Sequence, residues 1–172
     1  MKKAILILIG SMTAIIAVAQ HSKMEVFIGW HGHWQGEGWM QMGPEKKKST
    51  VDEFIEPKLD GTILTLEGIG KSIDEQSGSE TKVHHAFGIL SFDQTTNDYT
   101  LRTYLVDGRS TDAWFKILNE TNFQWGFEVA NRKFRYSITL DSEKGTWSEI
   151  GEYSLTDNSW NKFFQMNLKK VK

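Results

Sequence analysis

From Trp34 to the end of the chain, apolar residues recur at every second position in short runs separated by clusters of turn-forming residues. A period of two is that of a strand with one face buried. Ten runs are read this way: Trp34–Met42, Thr50–Leu59, Thr62–Gly70, Val83–Phe92, Tyr99–Val106, Thr111–Leu118, Phe123–Val129, Phe134–Leu140, Trp147–Ser154 and Trp160–Lys169. Between them lie Asp60-Gly61, Asp107-Gly108, Thr96-Asn97-Asp98, Glu143-Lys144-Gly145 and Thr156-Asp157-Asn158. These favour tight reversals. Short connections make sequence neighbours spatial neighbours, and an open meander of ten strands would leave two bare edges. The pattern therefore predicts an all-β fold, an antiparallel up-and-down β-barrel of about ten strands. Val26 to Gly29, just before the first run, reads as a short helix capping one mouth.

The last four runs give the clearest faces. Phe123, Trp125, Phe127 and Val129; Phe134, Tyr136, Ile138 and Leu140; Trp147, Glu149, Gly151 and Tyr153; and Trp160, Lys162, Phe164, Met166 and Leu168 form one face, expected inside. The alternate residues, including Arg135, Glu152, Asn161 and Phe163, are expected outside. The middle runs are apolar on both faces, and a single bulge reverses which one is inward.

The N-terminus reads differently. Met1-Lys2-Lys3 precedes an uncharged apolar stretch that ends in Ala17-Val18-Ala19. A basic start, an apolar middle and small residues before the cut define a signal peptide over 1–19. The stretch is short for a membrane-spanning helix. Export to the periplasm or outside the cell, with residues 20–172 as one domain, is the expectation. The chain has no cysteine, which excludes disulfides, thiolate metal sites and a lipid-modified N-terminal cysteine. The full chain has 20 Lys and Arg against 22 Asp and Glu, and cleavage removes two lysines, leaving 18 against 22 and a charge of −4. A mildly acidic chain whose one basic run is Lys46-Lys47-Lys48 is not built for nucleic acid.

The segment Gly32-His33-Trp34-Gln35-Gly36-Glu37-Gly38 resembles the GxWxGxG opening of lipocalin-like and nitrobindin-like barrels. It is followed in order by Pro57-Lys58-Leu59-Asp60-Gly61, Leu90-Ser91-Phe92-Asp93, Leu101-Arg102-Thr103-Tyr104 and Trp147-Ser148-Glu149-Ile150-Gly151-Glu152. The set is similar to uncharacterised bacterial secreted lipocalin-like proteins, over about Ile28 to Leu168. The resemblance implies a calycin-type barrel with a central cavity for a small, mostly apolar molecule, and carries over no catalytic residue. Nitrobindin-type barrels hold haem through a histidine near the C-terminal strands. Here no histidine follows His85, so no haem or other cofactor is expected.

A binding module for a small hydrophobic or amphipathic molecule is the leading reading. Trp125, Phe127, Tyr136, Trp147, Glu149, Tyr153, Phe164 and Met166 would line it. Arg102 and Tyr104, spaced like the pair with which fatty-acid-binding barrels hold a carboxylate, join them if their strand faces that way. Glu149 stands out, because a carboxylate on an aromatic inner face must be paired, hydrogen-bonded or protonated. Lys162 on the next strand, or Arg102 across the barrel, is the expected partner. Two other readings stay open: an isomerase- or cyclase-type enzyme using Glu149 or His85 as acid or base, and a packed barrel without ligand. His31-x-His33 is two-thirds of a metal site at best, and no metal is expected. Asn119-Glu120-Thr121 matches a glycosylation sequon by pattern alone.

Overall fold

A computed structural model describes residues 23–41, 43–74, 77–156 and 159–171. The signal-peptide reading over 1–19 lies outside the described residues. The strands are β1 (Gly32–Met40), β2 (Lys47–Lys58), β3 (Ile63–Ile73), β4 (Glu80–Asp93), β5 (Asp98–Leu105), β6 (Ser110–Ile117), β7 (Asn122–Val129), β8 (Arg132–Asp141), β9 (Thr146–Thr156) and β10 (Ser159–Lys170). Each pairs antiparallel with its neighbour in sequence, and β1 pairs with β10, with Trp34 opposite Lys170 and Met40 opposite Phe164. The sheet is a closed up-and-down barrel, as the alternation predicts.

One end is plugged. A 3-10 helix, Glu25–Trp30, precedes β1 and buries Phe27 and Trp30. The Phe27 ring meets Trp30, Tyr99 and Phe115 edge-on at 5.3, 5.5 and 5.6 Å between centroids. Two hydrogen bonds hold the plug: Trp34 Nε1 donates to the Trp30 carbonyl at 2.8 Å, and the Tyr99 hydroxyl donates to the Lys23 carbonyl at 2.8 Å. Leu64, Leu90, Leu101, Phe123, Leu140, Trp147 and Leu168 complete a dry core behind it. At the opposite mouth lie the turns β1–β2, β3–β4, β5–β6, β7–β8 and β9–β10.

The middle strands resolve into one orientation. Leu90, Phe92, Tyr99, Leu101, Ala113 and Phe115 point inward, while His85, Phe87, Ile89, Arg102 and Tyr104 point outward. The expected inner face of β10 needs a correction. Register shifts lie between Ser159 and Asn161 and between Lys162 and Phe164, where Phe163 is the extra residue. Beyond it Lys162 pairs with Glu152 on the outer wall. Phe163, read as outward from the sequence, is buried instead, at 3% exposure. Trp160 likewise lies outside, under the Arg135 guanidinium at 4.1 Å. A bulge in β10 thus moves Trp160 and Lys162 to the solvent side and turns Asn161, opposite Tyr153, and Phe163 to the inner side.

Candidate functional site

The half of the barrel toward the open mouth has two unlike walls. On β7, β8 and β9 the inward residues are aromatic: Trp125 lies opposite Tyr136 and Phe127 opposite Phe134 in register, with Tyr153 next to Phe134. Trp125 and Tyr136 stack in parallel at 3.9 Å and 4°, and Phe127 and Phe134 at 4.9 Å and 19°. These rings are only half-buried. Close stacking needs room behind the ring, and Gly151 on β9 supplies it: a Cβ there would stand 2.9 Å from Tyr136 Cε1. Phe163 closes against Tyr136 and Phe134 at 5.8 and 5.7 Å, edge-on. On β3 to β6 the inward positions of this half mix small residues with Leu66 and Leu105. Gly68 pairs with Ala86, Gly88 with Thr103, and Thr103 with Thr111.

Two carboxyls stand between these walls and the plugged core. Glu149, on β9, is 5% exposed. Its Oε1 accepts a hydrogen bond from Trp125 Nε1 at 3.0 Å. Trp147 Nε1 also bears on this carboxyl and favours its charged form, although it reaches hydrogen-bond geometry with no partner among the described residues. Glu53, on β2, alternates with the buried Val51 and Ile55 and so points inward. Its carboxyl lies over Gly68, where an added Cβ would come within 2.5 Å of Oε1. Burial pushes Glu149 up to about 7, with Trp125 and Trp147 pulling the other way. Burial pushes Glu53 up to about 8, and the charges of Glu149 and Asp52 add to the rise. The Tyr136 hydroxyl is raised by burial and by Glu149. Each carboxyl makes the other harder to ionise, so the two titrate as a pair.

Of the residues singled out from sequence, Trp125, Phe127, Tyr136, Trp147, Glu149, Tyr153, Phe164 and Met166 all face the interior. Trp147 and Met166 belong to the buried core, and the others border the mouth half. Arg102 and Tyr104 do not join them. Both are exposed on the outer wall, with Arg102 Nη1 3.2 Å from Asp112 Oδ1. Lys162 donates to Gln165 Oε1 at 2.6 Å outside the barrel. Neither expected cation therefore reaches Glu149, whose neighbours are an indole N–H and a second acid. Glu53 was missed, although its alternation with Val51 and Ile55 was there to read.

The histidines are dispersed. His33 stacks on Phe54 at 4.4 Å and bonds Asp52 at 2.7 Å, and His85 bonds Glu67 at 2.8 Å, both on the outer wall. His84 alternates inward near the mouth, beside Gly70, its pKa lowered by burial and by His85. No group of three or more His, Asp or Glu among the described residues could hold a metal ion. Asn119 caps its own turn, accepting from the Thr121 and Asn122 backbone N–H groups. A separate open groove of about 440 Å³ crosses the outer wall of β10, β1, β2 and β3, with Glu37, Trp39, Lys48, Lys71, Gln165 and Asn167 along it. It contains none of the ligand-binding residues expected from the sequence.

No family model and no curated relative matches the chain. Among solved structures it is similar to the crystal structure of Rv2717c from M. tuberculosis, with a TM-score of 0.64, 10% identity, and coverage of 87% of this chain and 97% of that one. At that identity the likeness is one of fold: the chain shares a whole-length barrel architecture with Rv2717c.

Proposed function

We propose that this protein is an exported, lipocalin-like carrier that takes a small hydrophobic or amphipathic molecule into the open half of its barrel. The half-buried aromatic wall carries this reading. Trp125, Phe127, Phe134 and Tyr136 point into the barrel without being fully buried, and the inward positions of β3 to β6 in the same half include Gly68, Ala86, Gly88, Thr103 and Thr111 beside Leu66 and Leu105. Binding sites combine such apolar surface with a few placed polar groups, and Glu149 and Glu53 are those groups. The plug at the other end supplies a dry floor and keeps the barrel rigid without using the mouth.

Native mass spectrometry of the protein purified from its own host tests the reading first. A reproducible mass increment that disappears on denaturation is the expected result. Titration with an apolar fluorescent probe, followed by quenching of tryptophan emission, tests the place: replacing Trp125 by Leu should remove most of the quenching. A protein that carries no increment and takes up no probe is a packed structural barrel instead.

A second reading rests on the carboxyl pair alone. Acids titrating near neutrality suit proton transfer, so an isomerase-type reaction at Glu53 and Glu149 is the alternative. His85, the other acid–base candidate, faces outward and is bonded to Glu67. Turnover of a bound molecule, abolished by Glu149→Gln, would favour catalysis over carriage.

A further inference from the structure

Resting on the carrier reading, we infer that the ligand is an amphipathic cation, with an ammonium head at Glu149 and Glu53 and an apolar tail along the aromatic wall. Three observations converge. First, among the described residues, inward positions between the two rims carry both carboxyls and no lysine or arginine. Arg102, Arg135 and Lys162 all point outward. The bases that alternate inward sit at the two ends: Lys47 and Arg132 at the edge of the mouth, where Arg132 covers the Tyr153 ring at 5.3 Å, and Lys170 at the plugged end, where it lies over the Trp34 ring and donates to the Gly29 carbonyl. His84 also lies toward the edge of the mouth.

Second, the surroundings of Glu149 are those of an acceptor. An indole N–H can only donate. Trp125 donates to the carboxyl, and the Trp147 indole, 3% exposed and without a hydrogen-bond partner, bears on it too. An acid kept neutral to serve as a donor would be met by carbonyl or hydroxyl oxygens. This one accepts from Trp125 Nε1, which favours its negative form although burial opposes it. A cation brought in by a ligand completes the arrangement. Third, the carboxyl of Glu149 is bonded to the indole of Trp125, which stacks on Tyr136, so aromatic rings border the proposed head-group site, and aromatic rings attract ammonium groups. A fatty acid would instead place its carboxylate against two acids, or leave it at the rim with Lys47 and Arg132.

The test compares decylamine, decanol and decanoate at neutral pH, all below their micelle concentrations, by calorimetry and tryptophan quenching. A charge-assisted contact in place of a neutral one is expected to make decylamine about tenfold tighter than decanol, with decanoate weakest. In Glu149→Gln and in Glu53→Gln, the preference for decylamine over decanol should be lost. Should one variant fail to fold, the other and the wild-type ranking still decide. Decanoate binding as tightly as decylamine, or an amine preference that survives both substitutions, overturns the inference while leaving the carrier intact. If none of the three binds, the carrier reading falls with it.

Discussion

Replacing Glu149 by Gln should make this protein more stable above neutral pH, contrary to the usual effect of altering a buried polar residue. The ordinary value of the group is 4.5, and burial raises it to about 7. A rise of that size is worth about 3 kcal/mol of preference for the neutral form. The sign follows from proton counts. Below pH 4.5 the carboxyl is protonated in both folded and unfolded chains, and the shift costs nothing. Between 4.5 and about 7 the unfolded chain releases its proton first, so the folded chain binds more protons and stability falls as pH rises. Above about 7 the full cost of about 3 kcal/mol is present. Glutamine keeps an oxygen for Trp125 Nε1 and never ionises. It also removes the charge that helps hold Glu53 at about 8, which extends the gain. For a domain of this size each kcal/mol moves the melting temperature by about 2–4 °C. The difference in Tm between variant and wild type should therefore be near zero at pH 4 and reach several degrees by pH 9. Scanning calorimetry across that range is the assay. A variant that melts lower than wild type at pH 9, or a difference that does not change with pH, would refute the reasoning.

Other expectations follow from the packing. Phe27→Ala removes a fully buried ring from the plug and should cost about 3–5 kcal/mol, read by urea denaturation. Gly151→Ala places a methyl against Tyr136 and Phe164. It should cost about 1–3 kcal/mol and shift the tryptophan emission as Trp125 loses its stacking partner. Trp125→Phe removes the N–H that stabilises the charged form of Glu149, so the decline in stability that begins near pH 4.5 should continue to a higher pH before levelling off and be larger in total, as followed by the same calorimetric scan. Intact mass of the exported product should begin at Gln20, and recovery of the full-length chain in the membrane fraction would mean the N-terminal stretch is an anchor.

The architecture was legible because strand patterning is local. Each of the ten apolar runs overlaps a strand, and the capping helix before β1 is present as Glu25–Trp30. The inner residues of β7, β8 and β9 were legible for the same reason, each being the apolar member of an alternating pair. Two features escaped. The extra residue in β10 changes the face of everything before it, and nothing in Trp160 to Phe164 distinguishes a bulge from a straight strand. Lys162 consequently sat beside Glu149 in the pattern and stands outside the wall in the molecule. The middle strands are apolar on both sides because Phe87 and Tyr104 sit on the outer wall at 38% and 39% exposure. Composition could not tell that outer aromatic row from the core, and the place of Arg102 stayed open with it. Glu53 is the reverse case. Val51 and Ile55 announce its direction, but one acid among Asp52, Glu53 and Glu56 draws no notice until the second carboxyl is found beside it.

The pairing of β1 with β10 makes the order of strands a ring, and a ring has no first member. Each of the other nine pairings joins strands consecutive in sequence. The one long-range seam, where Val171 N donates to the His33 carbonyl at 2.8 Å, marks only where the chain happens to start. Linking residue 171 to residue 23 and opening the chain at Asp107-Gly108 would leave every strand pair in place and move the seam to β5 and β6. The number of local and distant pairings would not change, so a circular permutant of this kind should fold at a similar rate. It would carry its ends at the open mouth rather than beside the plug.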